Sequence, residues 1–326
     1  MVMAQSLFKL LKFRAPASVI DVVAPAWTHP LLARMPEINE AIALPLAHGQ
    51  LGLRTRWRLG RSLRPRGYSH AIVLPNSWKS AIIPLAAGAA RRTGFVGEWR
   101  WGLLNDTRRL KKAALPRMVD RFLTLGLEPQ EMLLSASPPQ LVPQVKNAHA
   151  ALARLNWPLL PQTPILGLAP GAEYGAAKRW PAAYFADVAA AKIRAGWQVW
   201  LFGSEKDAVI TATLETEIQS RGIDIQGRCL DLGGRTTLAE AIDLLSLTQA
   251  VVTNDSGLMH VAAALGRRVV ALFGSSDPGH TPPLSDLATN LSLQLSCSPC
   301  FARECPLGHL RCLKDLPPER VLAALN

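Results

Sequence analysis

No stretch of the 326-residue sequence is long and apolar enough to read as a membrane span, and none reads as a secretory leader. Residues 1–13 come nearest, yet Gln5, Lys9 and Lys12 interrupt them and no cleavage-type ending follows. The chain is therefore expected in the cytoplasm. Acid is scarce as well: 24 Asp and Glu stand against 36 Lys and Arg, a formal net charge of +12 at pH 7. Such an imbalance calls for a partner of negative charge. Nucleic acid is the common reading, but the arginines fall into no nucleic-acid motif. They crowd instead into two N-terminal stretches, Arg54, Arg56, Arg58, Arg61, Arg64 and Arg66 in one and Arg91, Arg92, Arg100, Arg108 and Arg109 in the other. Cysteines number only five. Cys229 is solitary, while Cys297, Cys300, Cys305 and Cys312 form C-x2-C-x4-C-x6-C within a Pro- and Gly-containing loop that also holds His309. A cytoplasmic location argues against disulfides and leaves a thiolate metal site or plain reduced thiols. The spacing is irregular for a zinc ribbon, so structural zinc at these four is the lesser expectation.

What is present begins with Thr253-Asn254-Asp255-Ser256-Gly257-Leu258-Met259-His260, between the apolar run Ala250-Val251-Val252 and the small-residue segment 261–266. It reads as a strand end, a tight turn and a helix N-terminus. Asp255 or Ser256 is expected to cap the first turn, and the open backbone N–H groups with the helix dipole favour an anion. A diphosphate fits such a site, although an ordinary capped helix after a buried strand would read the same way. A second strand-to-loop unit adds weight: Ile165-Leu166-Gly167-Leu168-Ala169 runs into Pro170-Gly171-Ala172-Glu173-Tyr174-Gly175-Ala176-Ala177-Lys178-Arg179-Trp180-Pro181. Its glycines permit close backbone approach, and Lys178 and Arg179 offer cationic donors to phosphate oxygens. Pro181 suits the first turn of a helix over 182–195. A third such loop carries Gly203-Ser204-Glu205-Lys206-Asp207 after Val199-Trp200-Leu201-Phe202. Three loops at the C-terminal ends of presumed parallel strands lie where open α/β sheets bind ligands.

The pattern elsewhere agrees. Strands are expected over 18–23, 71–74, 165–169, 199–202, 250–253 and 269–273, interleaved with helices, which is the alternation of a doubly wound sheet. The chain length suggests about two domains. Trp157-Pro158 and Pro161-Gln162-Thr163-Pro164 would resist regular structure, so the expected domains are 1–154 and 165–326 with a linker at 155–164. Met3, Leu7, Leu10 and Leu11 have helical spacing without a capping residue ahead of them.

PGAEYGAAKRWP, LFGSEKD, TNDSGLMHVAAALG and ALFGSSDPGHTPPLS resemble the bacterial lipopolysaccharide heptosyltransferases of glycosyltransferase family 9. The likeness extends through Leu74-Pro75-Asn76-Ser77-Trp78-Lys79-Ser80, Arg92-Thr93-Gly94-Phe95 and Leu104-Asn105-Asp106, in the expected order. It implies a GT-B enzyme with two Rossmann-like domains facing a cleft, an N-terminal one for the acceptor and a C-terminal one for ADP-heptose. It also implies inverting transfer of L-glycero-D-manno-heptose to the first heptose of the inner core, without metal or other cofactor. Lys178 resembles the lysine that steadies charge on the departing ADP, and Ser256 and Gly257 the diphosphate cradle. Asp255 is expected to orient heptose hydroxyls or cap the loop, and His260, one turn past Ser256, to face the same ligand. Glu205 and Asp207 are the candidate partners of ribose or adenine, and Lys79 and Arg92 of the acceptor. A Kdo-bearing, phosphorylated acceptor at the inner face of an anionic bilayer accounts for the basic charge, with peripheral membrane contact and no nucleic acid. The family's first strand and the aspartate presumed to act as general base would precede residues equivalent to Met1-Val2-Met3. A dozen or more further residues ending in aspartate are therefore expected, and donor binding with little transfer from the sequence as written. Another core heptosyltransferase activity, a non-catalytic ADP-sugar-binding protein and a basic nucleic-acid-binding protein stay open as alternatives.

Overall fold

A computed structural model describes residues 1–47, 49–133, 135–158, 160 and 162–326. The chain divides into two compact units, residues 3–138 with Met1 and residues 139–326 with Val2.

In the first unit the order is α1 (Gln5–Arg14), β1 (Asp21–Ala24), α2 (His29–Leu32), β2 (Glu40–Ala43) and α3 (Leu53–Leu63), then β3 (His70–Val73), α4 (Ile82–Ala86), β4 (Arg91–Phe95), β5 (Asp106–Arg108) and α5 (Met118–Leu125). Its strands make two separate parallel sheets, β1-β2 and β3-β4-β5. α1 starts without a side-chain cap, as its sequence implies, and buries Leu7 and Phe8. β1 begins at Asp21, later than the expected 18–23. β2, β4 and β5 have no counterpart among the expected strands. β4 reads RRTGF, and its two leading arginines mask the strand pattern because their heads find partners mostly far along the chain. Arg91 pairs with Glu128 and Asp106, and Arg92 donates to the carbonyls of Leu103 and Ala89.

The second unit runs α6 (Val145–Arg154), β6 (Ile165–Ala169), α7 (Ala182–Arg194), β7 (Gln198–Leu201), α8 (Ala208–Ser220), β8 (Cys229–Asp231) and α9 (Leu238–Leu245), then β9 (Ala250–Asn254), α10 (Gly257–Ala264), β10 (Arg268–Leu272), β11 (Ala288–Leu291), α11 (Arg311–Lys314) and α12 (Pro318–Ala324). One parallel six-stranded sheet has the order β11-β10-β9-β6-β7-β8. β6 and β9 are buried at every position, the continuous apolar reading of a sheet covered on both faces. Leu166, Leu168, Val252, Val270 and Leu272 pack with Phe185, Val188 and Leu214, each such side chain contributing about 1.5–3 kcal/mol on burial.

The division between the units falls between Pro138 and Pro139, ahead of the 155–164 stretch expected as a linker. α6 belongs to the second unit because its start is tied to α9: Gln144 N and Asn147 Nδ2 donate to Asp243 at 3.0 and 2.6 Å. At its far end Arg154 reaches Glu240 at 2.9 Å. Leu159 and Pro161 of the expected linker lie outside the described residues.

Candidate functional site

The three loops expected to bind a ligand leave the C-terminal ends of β6, β7 and β9 in the second unit. β6 and β9 are adjacent, with Ala169 opposite Thr253, so the 170–180 loop and the start of α10 are neighbours by topology. Asn254, fully buried at the end of β9, ties that loop at both ends. Its Nδ2 donates to the Pro170 carbonyl at 2.7 Å and its Oδ1 accepts from Trp180 N at 3.0 Å. Trp180 itself is buried: Nε1 donates to the Leu316 carbonyl at 2.9 Å and the ring meets Phe185 edge-on at 4.9 Å. Between these anchors a short 3-10 turn, Ala176–Lys178, delivers the Lys178 ammonium to the Asp255 carboxylate. The pair is largely dehydrated, with side chains 16% and 8% exposed. Lys178 Nζ also lies 5.0 Å from the centre of the Tyr174 ring. An ammonium carries three donors. Asp255 uses one, and the others are available to an incoming anion.

At the start of α10 the expected side-chain cap is not made. Ser256 occupies the cap position with extended backbone and accepts no bond from the first turn. Its hydroxyl lies 3.2 Å from Thr253 Oγ1 instead, while Asp255 is committed to Lys178. The first amides of α10 are therefore left for a ligand. Gly257 is exposed, and a Cβ there would meet nothing within 4 Å, so the approach is open. His260 is half-buried one turn further on. Burial pushes its imidazole down to about 4 against the upward pull of the Asp255 carboxylate, so at neutral pH it is uncharged.

Asp207 closes a capping box, accepting from Ser204 N at 3.0 Å and Ser204 Oγ at 2.7 Å. It also packs on Gly171, where a Cβ would come within 2.5 Å of its carboxyl carbon. Its structural duty is the junction of two ligand loops, and Glu205 is exposed in the same turn. Arg179 is exposed beyond Lys178. Two features escaped the sequence reading. Asn254 stood inside a quoted motif without a role, and Ser275 and Ser276, just past β10, are buried with hydroxyls that have no partner among the described residues. Paired serines at a strand's C-terminal end were the available signal.

In the first unit the arginine stretches separate into two kinds. Arg56 is buried and donates to the carbonyls of Leu51 and Gln50. Arg66 pairs with Glu40 and Asp21, and Arg100 is buried on Pro75 and Phe95 carbonyls. Arg91 and Arg108 are paired with Asp106. The acceptor-side candidates are engaged too: Lys79 donates to the Gly49 and Gln50 carbonyls at 3.1 and 3.3 Å, and Arg92 to Leu103 and Ala89. These groups brace loops rather than stand free, because each head donates to main-chain carbonyls. Arg54, Arg58, Arg61, Arg64 and Arg109 are exposed and have no ion-pair partner among the described residues.

All five cysteines are free thiols. Burial pushes the Cys229 thiol up, which leaves it inert. Backbone amides, that of Leu310 foremost, hold Cys305 below its ordinary value, while burial pushes Cys312 up. Among the described residues no three His, Cys, Asp or Glu side chains are arranged to hold a metal ion. No helix among them is long and apolar enough to cross a membrane.

The chain is similar to known proteins along its whole length. The lipopolysaccharide heptosyltransferase 2 of Salmonella typhimurium is 46% identical over 330 residues, covering 100% of this chain and 94% of the relative. The solved structure of the E. coli ADP-heptose LPS heptosyltransferase II superposes with a TM-score of 0.84 at 42% identity, covering 100% of this chain and 94% of that one. The E. coli heptosyltransferase WaaC with ADP shares the fold at a TM-score of 0.70 and 16% identity, covering 100% and 96%. Residues 56–311 match the family model described as glycosyltransferase family 9 (heptosyltransferase). With parallel sheets of the GT-B type and a cation set beside an uncapped helix N-terminus, the chain is an enzyme that belongs to glycosyltransferase family 9, the heptosyltransferases.

Proposed function

We propose that this chain transfers L-glycero-D-manno-heptose from ADP-heptose to the first heptose of the lipopolysaccharide inner core, inverting the anomeric centre without a metal. The observation that carries the donor half of this reading is the Lys178–Asp255 pair beside the open amides of α10. Lys178 keeps Asp255 and turns its remaining donors to the diphosphate. Negative charge on that group grows as the glycosidic bond to ADP breaks, so the interaction strengthens in the transition state and lowers the barrier. Ser256 and Gly257 present amides to the same oxygens. Asp255, shared with Lys178, and neutral His260 face the sugar, with Glu205 and Asp207 toward the nucleoside and Arg179 at the mouth. The proton acceptor for the attacking hydroxyl is assigned to none of these residues.

The acceptor is a lipid-linked Kdo/heptose core, met at the cytoplasmic face of the inner membrane. α3 supports this: Arg54, Arg58 and Arg61 recur at i, i+4 and i+7 on its exposed face, flanked by exposed Leu53 and Trp57. Basic heads beside an apolar pair suit an anionic bilayer surface. Calorimetry with ADP and with ADP-heptose is expected to show binding of both. In product analysis with defined truncated core acceptors, any heptose transferred is expected on the mono-heptosylated core and not on the heptose-free one. Absence of any interaction with either nucleotide defeats the reading.

A further inference from the structure

The cysteine loop lies far from Lys178 in sequence but is fastened to the same loops. Ser298 Oγ donates to the Gly274 carbonyl at 2.5 Å, and Phe301 N to the Ser275 carbonyl at 2.7 Å. On the other side Tyr174 Oη donates to the Phe301 carbonyl at 2.8 Å, and Ala177 N to the Arg303 carbonyl at 3.0 Å. Gly175 is required at this junction, since a Cβ there would collide with the Arg303 carbonyl. The segment 298–303 thus bridges the loops that follow β6 and β10.

Its main consequence is where Arg303 ends up. The guanidinium carbon lies 5.3 Å from the centre of the Tyr174 ring, the ring that Lys178 Nζ approaches at 5.0 Å. Two cations therefore share one aromatic ring. Lys178 has Asp255 for a counter-ion, whereas Arg303 has no ion-pair partner among the described residues. In the loop after β10, which accepts from Phe301 N, Ser275 and Ser276 keep buried hydroxyls without partners among the described residues. Arg303 is exposed, so two cationic heads on one ring, one of them with its donors free, stand ready for an incoming anion.

We infer that Arg303 is a second cationic ligand of the donor diphosphate, delivered by the cysteine loop and oriented by stacking on Tyr174. This rests on the donor reading above and extends it to a residue outside the matched motifs. A guanidinium grips two phosphate oxygens in its plane, which an ammonium does not. Arg303 touches the loop after β6 through its carbonyl, so truncating the side chain leaves the bridge to Ala177 in place.

The test is calorimetry of the full chain and of Arg303→Ala and Arg303→Lys with ADP and with adenosine, alongside thermal unfolding. Arg303→Ala is expected to weaken ADP about tenfold to a hundredfold, the scale of a lost charge-assisted bond. Adenosine affinity and Tm should stay unchanged, with Arg303→Lys intermediate. ADP affinity within about twofold of the wild type overturns the inference, as does an equal loss for adenosine, which would reveal a structural role. A wild-type chain that binds neither compound overturns the donor reading itself.

Discussion

Asn254 holds the ligand loop with a single amide that accepts at one end and donates at the other. Its oxygen accepts from Trp180 N while its nitrogen donates to the Pro170 carbonyl, both out of contact with water. Alanine would leave a buried N–H and a buried carbonyl unpaired, so Asn254→Ala is expected to cost about 2–4 kcal/mol, read as a lower urea midpoint. Aspartate would keep the acceptor, lose the donor and set a second carboxylate beside Asp255. It should therefore fare no better. A midpoint for Asn254→Ala equal to that of the wild type would show that the loop holds by other means.

At the scale of elements, α3 separates structure from surface within one helix. Its inner face carries Gly60, where a Cβ would sit 2.5 Å from the Ala86 Cβ and 2.6 Å from the Ile83 carbonyl, so α4 packs directly on the backbone. Arg56 and Leu63 are buried on that side. The outer face carries Arg54, Arg58 and Arg61, whose heads have no hydrogen-bond or ion-pair partner among the described residues. A triple variant with alanine at the three positions should keep its Tm yet bind anionic vesicles about a hundredfold more weakly, at about 1 kcal/mol per basic residue near such a surface. Co-sedimentation with phosphatidylglycerol and with neutral vesicles separates the cases. Equal retention of variant and wild type on anionic vesicles would remove α3 from the membrane contact.

At the scale of the molecule, the two units carry different responses to acid. In the second, His260 titrates at about 4 when folded and at about 6.5 when unfolded. The unfolded state therefore binds more protons between those values, and stability falls as pH drops through that window. The full loss is on the order of 3 kcal/mol. In the first unit, burial would raise Asp106, but hydrogen bonds from Arg108, Thr93 and Arg91 hold it at about 2. Its contribution is complete above the ordinary carboxylate range and fades only as pH falls from about 4 to 2. Hydrogen exchange at pH 7 and pH 5 should show the second unit losing protection over that interval. His260→Gln should flatten the change, and an unaltered second unit in the wild type would contradict the assignment.

Much of this protein was legible along the chain. Apolar runs that end in glycine-bearing loops mark β6, β7, β9 and β10 within a residue or so, because strands buried on both faces keep polar residues to their ends. Short or charged strands such as β2, β4 and β5 were not legible, since their polar side chains are satisfied by distant partners that local pattern cannot reveal. The same distinction governs the site. Lys178, Asp255, Ser256 and Gly257 follow from local motifs, a cation on a glycine loop and a helix start. Asn254 as a clamp, Lys79 and Arg92 as braces and Arg303 on Tyr174 depend on which segments meet in space. Local physics sets strand, turn and charge from neighbouring residues alone, whereas hydrogen-bond partners and counter-ions belong to residues many positions apart, and only the folded chain assigns them.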